Sequence, residues 1–281
     1  MTFAITGASG QLGRLTADAL LQHVDPADVV LISRNPGGLA EYGARGVDLR
    51  AGDFADPSSL EPAFTGVDRL LIISTDAVGS RLEPQIAAVQ AAARAGVGRI
   101  LYTSITRPEP GNPAGVVADH AGTEQALRES GTRWTFLRNA IYADMQLPTL
   151  EQAAATGRLV TNVGDGRFAY VTRADCAAAA AAALTRDEDG DAIYDITGPD
   201  ALSSADLAAL ASKIGDQEVQ VVDVDDEAYV AGLVQAAGLP QPFAELLASF
   251  NIAARLGYFD QVSDAVAGLT GRAATPLAAL L

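Results

Sequence analysis

Near its start the chain reads Phe3-Ala4-Ile5-Thr6-Gly7-Ala8-Ser9-Gly10-Gln11-Leu12-Gly13, and this stretch restricts the fold more than any other. The apolar run Phe3 to Thr6 predicts a buried strand. Leu12, Leu15, Thr16, Ala19 and Leu20 then recur at helical spacing. A strand, a glycine-rich turn and a helix, in that order, form the context of a dinucleotide-binding motif. One glycine makes the tight turn, the next lets backbone approach a pyrophosphate, and the last lets the helix pack close on the strand. The helix N-terminus adds free N–H groups and the positive end of the helix dipole. The spacing is G-x-x-G-x-x-G rather than the general G-x-G-x-x-G. Candidate cofactor contacts in this turn are Gly7, Ser9, Gly10, Gln11, Leu12 and Gly13.

Further strands follow at regular intervals. Val29 to Ser33, Val47 to Arg50, Arg69 to Ile73, Arg99 to Tyr102 and Trp134 to Leu137 read as short strands. Between them lie helical patterns over 57–64, 84–95 and 119–129. Such alternation predicts a Rossmann-type, doubly wound parallel α/β sheet with helices on both faces. Ligands in these sheets bind beyond the carboxyl ends of the strands. Gly7, Arg34, Asp53, Ser74 and Ser104 all fall at those ends. Arg34 stands where an acid would bind the ribose 2′-OH of NAD, and an arginine there suits the 2′-phosphate of NADP. Asp53 and Phe54 are candidates for the adenine side, although Asp53 equally suits a turn cap. Ser74 and Thr75 end the fourth strand.

After residue 141 the alternation weakens. Tyr142 to Thr156 reads as helix, Phe168 to Val171 as a strand, Ala174 to Leu184 as helix and Ala192 to Ile196 as a strand. From Ser203 onward the pattern is mostly helical, with one strand at Val219 to Val222. The expected organisation is therefore a dinucleotide-binding domain over 1–141, to which the chain returns around 167–197. A smaller, mostly helical substrate lobe is expected over 142–281.

Composition excludes several function classes. The net charge of −16 argues against a nucleic-acid partner and against anionic membranes. It also requires a local positive spot if a dinucleotide is to bind. No apolar run reaches the ~20 residues of a membrane span, and no basic segment precedes the first apolar stretch, so a cytoplasmic protein is expected. The single cysteine, Cys176, lies in an alanine-rich helix and reads as a small core residue. No metal site is predicted.

With these residues in place, the chain resembles the NmrA-like atypical short-chain dehydrogenases/reductases, and among them the bacterial NAD(P)H:quinone oxidoreductases. The resemblance rests on Ala4 to Gly13, Ser33-Arg34-Asn35-Pro36, Leu70 to Ser74, Tyr102-Thr103-Ser104, Thr123-Glu124, Leu137-Arg138-Asn139, Thr172 to Asp175 and Leu269-Thr270-Gly271-Arg272. It implies NADPH as cofactor, bound by the first turn and Arg34. It implies a quinone or related electrophilic carbonyl compound as substrate. A homodimer is an assembly to consider, which the sequence does not decide. Asn139 is a further candidate cofactor contact and Tyr142 a candidate pocket residue, because the sixth strand ends beside the nicotinamide in this fold.

The catalytic pattern departs from that of typical short-chain dehydrogenases. They use a serine together with Tyr-x-x-x-Lys, in which lysine lowers the pKa of the tyrosine acid. Here the corresponding helix reads His120-Ala121-Gly122-Thr123-Glu124, and the chain's one lysine is the distant Lys213. Ser104 and His120 remain as candidate catalytic groups, His120 as proton donor or as pocket wall. A ketone reduced to an alkoxide needs a proton donor, whereas a quinone yields a delocalised, weakly basic anion. Loss of the dyad thus fits a quinone. It also fits an NmrA-type regulatory protein that senses NADP(H) without turnover.

Overall fold

The computed structural model describes residues 1–281. In chain order the first elements are β1 (Phe3–Ile5), α1 (Gln11–Leu20), β2 (Val29–Ser33), α2 (Ala40–Gly43), β3 (Asp48–Ala51), α3 (Leu60–Phe64) and β4 (Arg69–Ile72). Then come α4 (Leu82–Arg94), β5 (Arg99–Ile105), α5 (Val117–Glu129), β6 (Arg133–Asn139), α6 (Leu147–Thr156), β7 (Arg158–Thr161) and α7 (Arg173–Thr185). The last are β8 (Ala192–Ile196), α8 (Ser204–Gly215), β9 (Gln220–Asp223), α9 (Asp226–Ala237), α10 (Gln241–Arg255) and α11 (Ala265–Thr270).

Seven of these strands form one parallel sheet in the order β3-β2-β1-β4-β5-β6-β8. The fold is the doubly wound Rossmann type that the alternating pattern predicts. Between the arginines that open β4 and β5 and the hydroxyl residues near the ends of β2 and β5, the strands β1, β2, β4 and β5 are apolar on both faces. Phe3, Ile5, Val29, Leu31, Leu71 and Leu101 face one helix layer with α1 and α7. Their neighbours Ala4, Val30, Ile32, Leu70, Ile72 and Ile100 face the other, with α3, α4 and Leu127 of α5. Successive side chains point to opposite faces, so a sheet covered twice needs no polar residue within these strands. The strand order reverses between β1 and β4, which opens the crevice where such sheets bind ligands.

A third apolar cluster lies apart from the two on the sheet faces. Leu150, Ala153 and Ala154 of α6 meet Leu207, Ala208 and Ala211 of α8, together with Leu159, Ala253 and Phe259. β7 pairs in parallel with β9 in a separate two-stranded sheet. Ile105, Ala114, Val116 and Val117 join the same cluster from the end of β5, the loop before α5 and the first residue of α5. This cluster therefore reaches the carboxyl edge of the large sheet.

Three local expectations need revision. Tyr142 to Thr156 is not one helix: a 3₁₀ turn at Ala143–Gln146 precedes α6. Phe168 to Val171 is extended but forms no regular strand, because its backbone bonds go to different segments. Phe168 exchanges bonds with Leu202, Ala169 N donates to Phe259 O, and Val171 N donates to Ile141 O. Finally, the chain end does not stay in the small lobe. Val266 of α11 is buried in the same cluster as α7, so the tail returns to the main helix layer.

Candidate active site

The turn after β1 has the geometry of an anion cradle. Gly7 adopts φ +60°, a left-handed conformation that glycine accepts without a Cβ penalty. A Cβ on Gly13 would lie 2.3 Å from Gly7 O and 2.7 Å from Ala8 Cα, so only glycine lets α1 sit this close to β1. Gly10 occupies the N-cap and offers no side-chain acceptor. The amides of Gln11, Leu12 and Gly13 consequently have no backbone or side-chain partner. Helix N-termini are usually capped by Ser, Thr, Asp or Asn. Leaving this one uncapped suits a bound phosphate, which supplies the missing acceptor oxygens. The residues fit a dinucleotide pyrophosphate.

The neighbouring strand ends complete the crevice. Ser33 Oγ donates to Ser9 Oγ at 3.0 Å and ties the glycine turn to β2. Arg34 is exposed and makes no hydrogen bond or ion pair within the protein. Asp53 Oδ1 accepts from Ala55 N at 3.0 Å and so caps its own turn, while Phe54 packs partly buried against the core. Ser74 N donates to Thr103 Oγ1 at 2.9 Å, and Thr75 N donates to Gln85 Oε1 at 3.1 Å. Asn139, at the end of β6, is buried and donates weakly to Tyr142 OH at 3.4 Å, and its Oδ1 has no partner. The Arg173 guanidinium covers the Tyr142 ring, 4.9 Å from its centroid.

On the opposite face of β5 the structure places α5, with His120 and Glu124 both turned into the protein. Tyr102 OH and His120 Nδ1 are 2.9 Å apart. Gln85 Nε2 donates to Tyr102 OH at 3.2 Å and to Thr123 Oγ1 at 2.8 Å, which joins α4, β5 and α5. Burial holds the His120 imidazole well below its usual pKa, and the positive charge of Arg81 adds to the effect. Burial likewise raises the Tyr102 phenol to about 12. Both groups are neutral at pH 7, so the imidazolium that a proton donor at His120 requires is disfavoured here.

Glu124, 1% exposed, accepts from Arg138 Nε at 2.9 Å and Nη2 at 2.7 Å, from Arg128 at 3.0 Å and from Ser104 Oγ at 2.7 Å. Ser104 and Arg138 are paired positions on β5 and β6, so one carboxylate on α5 can reach both. The Ser104 proton is thereby committed to Glu124. Ser104, a candidate catalytic group in the sequence, is thus held at the strand end by Glu124. Where the typical enzymes carry a cationic lysine, this chain has a structural ion-pair hub.

A family model described as NAD(P)H-binding matches residues 7–187. Quinone oxidoreductase 2 of Escherichia coli K12 is 34% identical over 275 residues, covering 98% of this chain and 96% of that protein. The chain belongs to the NmrA-like, NAD(P)H-binding oxidoreductases. The crystal structure of the E. coli quinone oxidoreductase 2 with NADPH superposes on this oxidoreductase with a TM-score of 0.95, covering 99% of this chain and 98% of that one. A Citrobacter triphenylmethane reductase in complex with NADP(H) has a TM-score of 0.90 at 33% identity, covering 99% and 98% of the two chains.

Sequence reasoning about this oxidoreductase missed the partners rather than the positions. The sequence assigns no role to Tyr102, Gln85 and Thr123 around His120, nor to Arg138 beside Glu124. A signal for Arg138 existed. A glutamate where lysine is usual needs a cation, and the arginine one residue before Asn139 lies at the same strand end as Ser104.

Proposed function

We propose that this oxidoreductase uses NADPH to reduce quinones or similarly electron-poor carbonyl compounds, without a proton donor supplied by the protein. The observation that carries this reading is the state of α5, where His120 is buried and neutral and Glu124 is locked between two arginines. Bound NADPH supplies the hydride. A quinone that accepts it becomes a hydroquinone anion, whose charge spreads over the ring, and water then provides the proton. Positioning at the carboxyl edge of the sheet is the main contribution left to the protein. Reduction of a simple aliphatic ketone would produce a basic alkoxide, and nothing on α5 is placed to protonate it. The sequence similarity to E. coli quinone oxidoreductase 2 supports the same substrate class. The free Arg34 at the end of β2 supports NADPH over NADH.

Following NADPH absorbance with a panel of small quinones and aliphatic ketones tests the proposal. The expected result is turnover of quinones and none of aliphatic ketones. NADPH binding with no turnover of any acceptor would favour the nucleotide-sensing alternative instead. In the same assay Arg34→Ala should lose about 1.5–3 kcal/mol of NADPH affinity, the range for hydrogen bonds to charged groups. NADH affinity should change little, and equal losses for the two cofactors would remove Arg34 from the 2′-phosphate site.

A further inference from the structure

We propose that Arg14 is a second determinant of NADPH preference, and that the Glu41 carboxylate is a competitor holding it in check. Arg14 lies in the first turn after the three uncapped amides of α1. Its side chain crosses to the loop that follows Arg34. There Nη2 donates to Gly38 O at 2.6 Å, and Nη1 pairs closely with Glu41. The Ser33–Ser9 hydrogen bond fastens this loop's strand to the glycine turn. The turn, the first part of α1, the end of β2 and the start of α2 thus meet at one corner that carries Arg14, Arg34 and Glu41, with Tyr42, Asp18 and Arg45 beside it.

Charge makes this corner unusual in the molecule. The protein carries a net charge of −16, so any site for an anion must be built from local cations. Arg34 is free, but Arg14 is half neutralised by Glu41. The pair is exposed, with side-chain accessibilities of 38% for Arg14 and 57% for Glu41. Exposed ion pairs contribute little, because water screens them and both side chains lose freedom. A phosphate monoester is a stronger partner. It carries nearly two charges and three acceptor oxygens, and it suits the planar fork of arginine. A 2′-phosphate at the end of β2 would therefore draw Arg14 from Glu41, and Gly38 O would keep the side chain near the loop. A cofactor lacking that phosphate would leave the Arg14–Glu41 pair intact. This inference rests on the proposed 2′-phosphate position beside Arg34.

The test is calorimetric titration of the full chain with 2′,5′-ADP and with 5′-ADP, two fragments that differ in the 2′-phosphate and lack the nicotinamide. Arg14→Met should weaken 2′,5′-ADP about tenfold, the low end for a charge-assisted contact, and leave 5′-ADP unchanged. Arg14→Lys should fall between Arg14→Met and wild type. Glu41→Gln should strengthen 2′,5′-ADP several-fold, with the gain shrinking at high salt. Circular dichroism confirms that each variant is folded. If Arg14→Met weakens both fragments equally, or Glu41→Gln leaves 2′,5′-ADP binding unchanged, the pair only fastens the loop and the proposal is overturned. If Arg34→Ala abolishes discrimination while the Arg14 and Glu41 variants keep it, this proposal alone fails. Equal binding of both fragments by the wild type would overturn it together with the Arg34 assignment.

Discussion

His120 and Glu124 stand one helical turn apart on α5, and their environments explain why neither replaces the missing dyad. His120 is kept neutral by burial, with Tyr102 as the only hydrogen-bond partner of its imidazole. Because its folded-state pKa lies below its unfolded value of ~6.5, the unfolded chain takes up a proton that the native state refuses. Stability contributed by neutral His120 is complete above the unfolded pKa and declines as pH falls below it. His120→Gln should remove this component. Its stability should therefore fall less steeply between pH 7 and pH 5 than wild type, by up to ~1.4 kcal/mol per pH unit. Urea titrations at the two pH values give the comparison, and identical slopes would refute it. The same variant should lower kcat by less than the 10²–10⁴-fold typical of a lost general acid. No step near the histidine pKa is expected in the wild-type pH–rate profile. Glu124→Ala should act on stability instead. It strands Arg138 and frees Ser104, and a loss of about 2–3 kcal/mol is expected, since both arginines retain some solvent.

At the scale of elements, the unit that matters is β1, its turn and α1. Two of its glycines have separable tasks. Gly13→Ala would push a methyl group to 2.3 Å from Gly7 O, a backbone atom that cannot yield cheaply, so α1 must lift from β1. A loss of about 3 kcal/mol is expected. At Gly10 the nearest atom to an added Cβ is Gly7 O at 3.3 Å, which a small adjustment accommodates. Gly10→Val should therefore keep a near-native melting curve by circular dichroism, yet lose NADPH binding, because its side chain occupies the approach of the pyrophosphate. A Gly10→Val protein that binds NADPH normally would place the phosphate site elsewhere.

For the whole molecule, the question is what holds the chain end to the sheet. Asp175, fully buried near the start of α7, accepts from Arg272 Nη1 at 2.6 Å and from Thr275 N at 2.7 Å. One carboxylate thus fastens the segment after α11, which in turn lies over the helix layer containing α1. Asp175→Ala should release this segment. Trypsin cleavage after Arg272 should accelerate markedly, and unfolding stability should drop by about 2–4 kcal/mol, as for other buried charge-assisted networks. Unchanged cleavage would mean that apolar contacts of Val266 suffice to hold the tail.

Local periodicity was enough to establish the parallel sheet, its strand ends and the glycine turn, because each depends on residues adjacent in the chain. Phe3 to Ile5 is apolar on both sides and Gly13 has no Cβ, and no distant contact changes what those facts require. The positions of His120 and Glu124 were equally legible. Their chemistry was not. Tyr102 lies 18 residues from His120, and Arg138 lies 14 residues from Glu124. Only the packing of α5 against β5 and β6 brings these groups together, and burial then sets which of them is charged. The extended segment Phe168 to Val171 shows the same limit in backbone terms. Its residues favour a strand, but its hydrogen bonds go to three separate parts of the chain, and only the folded protein determines those partners.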